Sequence, residues 1–103
     1  MANKNYIERI KQVIFQLHKV DSEHVNSVPV EERFRGRTIW KGIVEVFNLI
    51  RHPRAKRCFA WSHPEGEDNK GERFVTVLEI PPVDSPETAV KISIASDIKN
   101  LKK

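Results

Sequence analysis

Between Trp40 and Trp61 the chain reads WKGIVEVFNLIRHPRAKRCFAW, and this stretch constrains the fold more than any other. Over residues 37–50, Trp40, Val44 and Val46 fall on one side of an extended backbone, while Ile39, Ile43, Phe47 and Leu49 fall on the other. A strand with apolar groups on both sides is a central one, covered on both faces. Gly42 leaves a gap in this pleat and marks a bulge or a point of close approach. The connection Arg51-His52-Pro53-Arg54 stops the ladder, because proline donates no hydrogen bond. A second strand returns over 55–62, with Phe59 and Trp61 facing one way and Cys58 and Ala60 the other.

The flanks complete the pattern. Ile7, Ile10, Ile14 and Leu17 recur at the helical period, with Val13 and Val20 beside them, which predicts a helix over 4–20. Residues 24–34 read as a strand built on Val28, Val30 and Phe34, and Pro29 inside it marks an edge or bulged strand. Arg35-Gly36 supplies the turn into the next strand. After a polar loop over 63–71, residues 72–80 form another strand, which Pro81-Pro82 ends. A last helix is capped by Asp84 or Ser85 and has Pro86 and Glu87 in its first turn. Its stripe is Val90, Ile94, Ile98 and Leu101, widened by Ile92 and Ala95.

With 103 residues, of which 39% are hydrophobic, the chain fits a single domain spanning 1–103. The expected class is α+β: helix, four-stranded antiparallel sheet, helix, with both helices packed on one face as a two-layer sandwich. The other face would then expose apolar side chains, as association surfaces do. A homodimer joined through Trp40, Val44, Val46 and Phe59 is therefore the first expectation.

Chemistry-bearing patterns are sparse. One cysteine excludes an internal disulfide framework and a cysteine-rich zinc site. Cys58 lies mid-strand, where a free cysteine behaves as a small core residue, and His52 and His63 sit at the far ends of that strand. No paired acids, glycine-rich phosphate loop or nucleophile elbow appears, so no catalytic residue, metal site or cofactor is expected. No apolar run approaches the ~18 residues of a membrane span, and the N-terminal segment lacks the apolar core of a signal peptide, so a cytoplasmic protein is expected.

The net charge is +4, and its distribution is uneven. Residues 33–57 carry eight Arg and Lys against Glu45 alone, and residues 65–87 are mostly acidic. The bland account is a solvated rim of both signs; the sharper one is charge-steered association. Arg51, Arg54, Lys56 and Arg57 lie beside Phe59 and Trp61, and cations next to aromatics can pair phosphates and stack bases.

Two resemblances follow from these residues. From Lys41 to Lys99 the order of strand, HPRAK loop, aromatic strand, strand and a helix opening SPETAVKISIAS resembles a double-stranded RNA-binding domain. That family grips phosphate with lysines at the start of its last helix. Here Pro86 and Glu87 hold those positions and the first lysine is Lys91, so the resemblance implies fold and carries over no RNA-contact residue. The runs VNSVPV, GRTIWKGIVEVFNL, HPRAKRCFAW and RFVTVLEIPPV resemble a family of short uncharacterised bacterial proteins, some carried on mobile gene cassettes; this implies no activity. The leading functional expectation is a non-enzymatic, self-associating binding module. The alternative is a nucleic-acid-binding protein using Arg51, Arg54, Lys56, Arg57 and Trp61, with an acidic protein as the other partner of that corner. A ligand or enzymatic pocket between helices and sheet is the third class.

Overall fold

The computed structural model describes residues 4–65 and 71–101. The order is α1 (Lys4–His18), β1 (Ser22–Phe34), β2 (Arg37–Leu49), β3 (Arg57–Glu65), β4 (Gly71–Leu78) and α2 (Pro86–Leu101). The strands form one antiparallel sheet in the order β1-β2-β3-β4, so the fold is α+β and β2 and β3 lie at its centre. Of the polar loop expected over 63–71, residues 63–65 belong to β3, Gly71 belongs to β4, and the rest lies outside the described residues.

Local chemistry accounts for the joints. Arg35 and Gly36 have φ of 53° and 78°, the doubly positive pair of a two-residue hairpin that matches strand twist. α1 ends where Lys19 turns left-handed at φ 60° and its amide bonds back to the Phe15 carbonyl at 2.9 Å. At α2 it is Ser85 that caps. Its hydroxyl accepts the Thr88 amide at 3.2 Å, and the Thr88 hydroxyl accepts the Ser85 amide at 2.9 Å, a reciprocal box with threonine in the usual Glu position.

The helices do not share a face. Side chains alternate across β2 and β3, and Val46 opposes Phe59 while Phe47 opposes Cys58. On one side Val30, Val44, Val46, Phe59 and Trp61 pack with Ala89 and Val90 of α2. On the other, Phe47, Cys58 and Ala60 pack with Ile10 and Ile14 of α1. The arrangement is therefore helix, sheet, helix in three layers rather than the two expected. Its physical reason is that the sheet centre is apolar on both sides and each side must be dried. Residue size assigns the partners: the small Cys58 and Ala60 accept the Ile side chains of α1, and the bulky Phe59 and Trp61 meet the small Ala89 of α2.

β2 and β3 are paired only from Glu45↔Ala60 to Asn48↔Arg57. Beyond Glu45 the β1–β2 and β3–β4 ladders continue as separate arms. Trp40 of one arm meets Trp61 of the other edge-on, with ring centroids 5.8 Å apart at 68°. A Cβ on Gly42 would sit 3.0 Å from the Trp40 ring, so Gly42 is the point of close approach. The bulge lies nearby, at Ile39, between the Glu32↔Trp40 and Arg33↔Thr38 pairs.

Several expected core residues are surface residues. Leu17 is 61% exposed and Phe34 58%, Ile92 and Ala95 are exposed, and the side chains of Ile98 and Leu101 lie outside the described residues. Ile14→Ala, at a site with no exposure, is expected to cost about 2–5 kcal/mol in denaturant unfolding.

Candidate functional site

The four residues expected to form an association face are covered within the chain. Val44, Val46 and Phe59 are buried beneath α2, and Trp40 is half-buried against Trp61. That face is an interior one, because α2 occupies the position assigned to a second subunit.

The basic corner is only partly as expected. Arg51, Arg54 and Lys56 are exposed on the β2–β3 loop, and Arg57 is tied to Glu79, Nε to Oε1, at 3.5 Å. The aromatics are unavailable: Trp61 is 2% exposed and Phe59 1%, so no base can stack on either. His52 organises the loop. Its Nδ1 accepts the amides of Arg54 at 3.0 Å and Ala55 at 2.9 Å, a task that needs an unprotonated Nδ1. The neighbouring His18 ring lies 6.5 Å from it, and His18 Nε2 bonds the Thr76 hydroxyl at 3.0 Å. Burial, and then the electrostatic influence of the nearby His52, hold the His18 pKa below its ordinary value.

Cys58 has no nucleophilic setting. Burial pushes its thiol up to about 12, and it lies under α1 with Phe47, Ile10 and Ile14. His52 is occupied by its loop, and the side chain of His63 lies outside the described residues. Among the described residues no group of His, Cys, Asp and Glu is placed to hold a metal ion, and no helix is long and apolar enough to cross a membrane.

Sequence reasoning missed a polar cluster on the α1 face. Glu45 is 1% exposed, and its Oε1 is bonded by the Ser27 hydroxyl at 2.5 Å and by His24 Nε2 at 2.9 Å. Ser27 Oγ lies 3.5 Å from the same His24 nitrogen. The residue types are those of a catalytic triad, but the wiring is not. A triad sets the carboxylate on one ring nitrogen and the nucleophile on the other, whereas here serine and carboxylate share Nε2 and the serine donates directly to the acid. The cluster pins the β1 bulge between His24 and Asn26 onto β2. One acid inside the apolar run IVEVF was the available signal, since a buried carboxylate demands donors.

The two sheet edges differ sharply. β1 carries Pro29, two irregularities in its ladder and a mix of Glu23, Glu31 and Arg33, all devices that discourage further pairing. β4 has none of these between Phe74 and Leu78. Among the described residues no strand lies on its outer side. A groove of about 430 Å³ runs along that side, lined by residues 73–77 with Leu17 of α1 on one face and Ile92 and Ser93 of α2 on the other. A second recess, also of about 430 Å³, lies between the β1–β2 tip and α2, lined by Phe34, Ile39, Ile94 and Ala95.

The chain matches no protein-family model, no curated protein and no solved structure.

The lowered His18 pKa sets a sign for pH dependence. The unfolded chain binds this proton more readily than the folded one, so stability is full above the ordinary value of 6.5 and falls as pH drops through it. The denaturation midpoint is expected to decrease between about pH 7.5 and 5.5, and His18→Asn to flatten that slope.

Proposed function

We propose that this protein is a non-enzymatic, self-associating binding module that works by strand addition at the open edge of β4. One observation carries the reading: β4 is an unprotected edge strand whose groove is walled on both faces by exposed apolar groups, Leu17 and Ile92. Unpaired backbone donors and acceptors in a row are a template for another strand, and the flanking apolar groups add burial to those hydrogen bonds. The buried unreactive thiol, and the Ser27–His24–Glu45 cluster wired as a staple, favour binding over catalysis.

Light scattering over a micromolar concentration series tests it. The expected mass is twice the 12.0 kDa of one chain. Thr76→Pro removes an amide from the outer edge and is expected to leave a folded monomer. Thr76→Val loses only the His18 contact and is expected to associate normally. A 12.0 kDa particle from the unaltered chain at every concentration would end the proposal.

The exposed Arg51, Arg54 and Lys56 favour a second reading, contact with a polyanion such as nucleic acid at the β2–β3 loop. With its aromatics buried, this contact is charge pairing without stacking. Three phosphates neutralised in this way predict a fall in affinity of about forty-fold between about 50 and 200 mM salt. Replacing the three cations by Glu abolishes binding to an oligonucleotide probe on this reading; unchanged binding refutes it.

A further inference from the structure

The partner strand at the β4 edge is identified by the edge itself; this rests on the reading of that edge as the association surface. The outward backbone groups follow from the ladder. The Glu79 amide donates to the Arg57 carbonyl at 2.9 Å, and Phe59↔Val77 and Trp61↔Val75 are opposed pairs two and four residues further along. In an antiparallel ladder, pairs that exchange both bonds alternate with pairs that exchange none. The N–H and C=O groups of Val75, Val77 and Glu79 therefore point inward to β3. Those of Phe74 and Thr76, and the Leu78 amide, point out from the sheet, while the Leu78 carbonyl accepts the Ile80 amide at 2.9 Å.

Residues 73–79 read Arg-Phe-Val-Thr-Val-Leu-Glu. Reversed and laid beside itself, this segment sets Arg73 opposite Glu79, Phe74 opposite Leu78, Val75 opposite Val77, and Thr76 opposite Thr76. Charge meets opposite charge, and apolar meets apolar. The same register places every outward residue opposite an outward residue, so the backbone groups match as well. Moving the centre by one residue either way sets Arg73 or Glu79 against a valine. Moving it by half a residue sets outward groups against inward ones.

We infer that the occupant is a second copy of this chain, with two β4 strands antiparallel about a twofold axis at Thr76. On either side of the axis the Leu78 amide of one copy donates to the Phe74 carbonyl of the other, and the two Thr76 residues exchange bonds at its centre. The axis stands perpendicular to the joined sheet, so like faces stay together. The Leu17 side chains of both copies then lie on the α1 side of the seam and the Ile92 side chains on the α2 side, which covers the exposed apolar groups that wall each groove. Glu79 already holds Arg57 at 3.5 Å, and Arg73 of the other copy extends that pair into a row of alternating charge. The contact is isologous and closed: β4 is consumed, and the blunted β1 forms both outer edges of an eight-stranded sheet.

Two cysteine variants test the register. Val75 and Val77 of different copies form a pair without mutual backbone bonds, where Cα atoms lie about 4.5 Å apart, within disulfide range. Two residues at position 75, or two at 77, are diagonal neighbours about 7–8 Å apart and outside it. Val75→Cys and Val77→Cys refolded together are expected to give a disulfide-linked dimer on oxidation, and either alone to stay unlinked. The native Cys58 is buried and does not compete. In the unaltered chain, a sample mixed from isotope-labelled and unlabelled protein is expected to show an intermolecular Hα–Hα contact between Val75 and Val77. A dimer that Thr76→Pro disrupts, yet that lacks this contact or crosslinks equally in the single variants, overturns the register and keeps the edge. A dimer indifferent to Thr76→Pro overturns the edge itself.

Discussion

The structure depends on one short block, Val44–Phe47 of β2 against Cys58–Trp61 of β3, where both faces of the sheet are dry. Each face contributes what the other lacks. The α1 side is small and flat at Cys58 and Ala60, and the α2 side is bulky at Phe59 and Trp61. Two terminal helices, each with a narrow apolar stripe, suffice because neither has to cover the whole sheet. At ~25 cal/mol per Å² of apolar area, two small cores on opposite sides of a shared sheet stabilise a chain of this length better than one shallow layer does. The same block holds Glu45, whose burial is tolerated because Ser27 and His24 reach it from the neighbouring strand.

Much of this was legible in the sequence, and the reasons are local ones. The six elements, the Arg35-Gly36 hairpin, the edge position of β1 and the start of α2 are all set by residues close together in the chain. Alternation also predicted the two-sided character of β2. What alternation does not encode is which helix takes which face, since that depends on long-range fit between Cys58 or Phe59 and side chains many residues away. The same blindness led Trp61 to be read as available beside its cations. Arg57 shares its strand face with Phe59 and Trp61 but stays exposed at the start of β3, while α2 covers the two aromatics, and that cover is not written in the strand. Leu17 and Ile92 failed in the instructive direction. Both belong to helical stripes, yet they lie where the helices overhang the β4 edge.

Edge chemistry separates the two outer strands. Proline, a bulge and mixed charge on β1 are costly to a ladder, and they are absent from the middle of β4, where outward amides and apolar walls lie together. The contrast within one small sheet argues that the open edge is a feature of the fold rather than an oversight. The basic loop is organised around His52 and leads into β3 at Arg57, which pairs with Glu79 at the end of β4.

The Trp40–Trp61 contact has an optical consequence. These are the only two tryptophans in the chain, one on each hairpin arm, and their rings meet edge-on at 5.8 Å. Transition dipoles held that close couple as excitons, and the coupling dies away steeply as the rings separate. The chain thus carries an internal gauge of the distance between its two arms, with no other indole to dilute the signal.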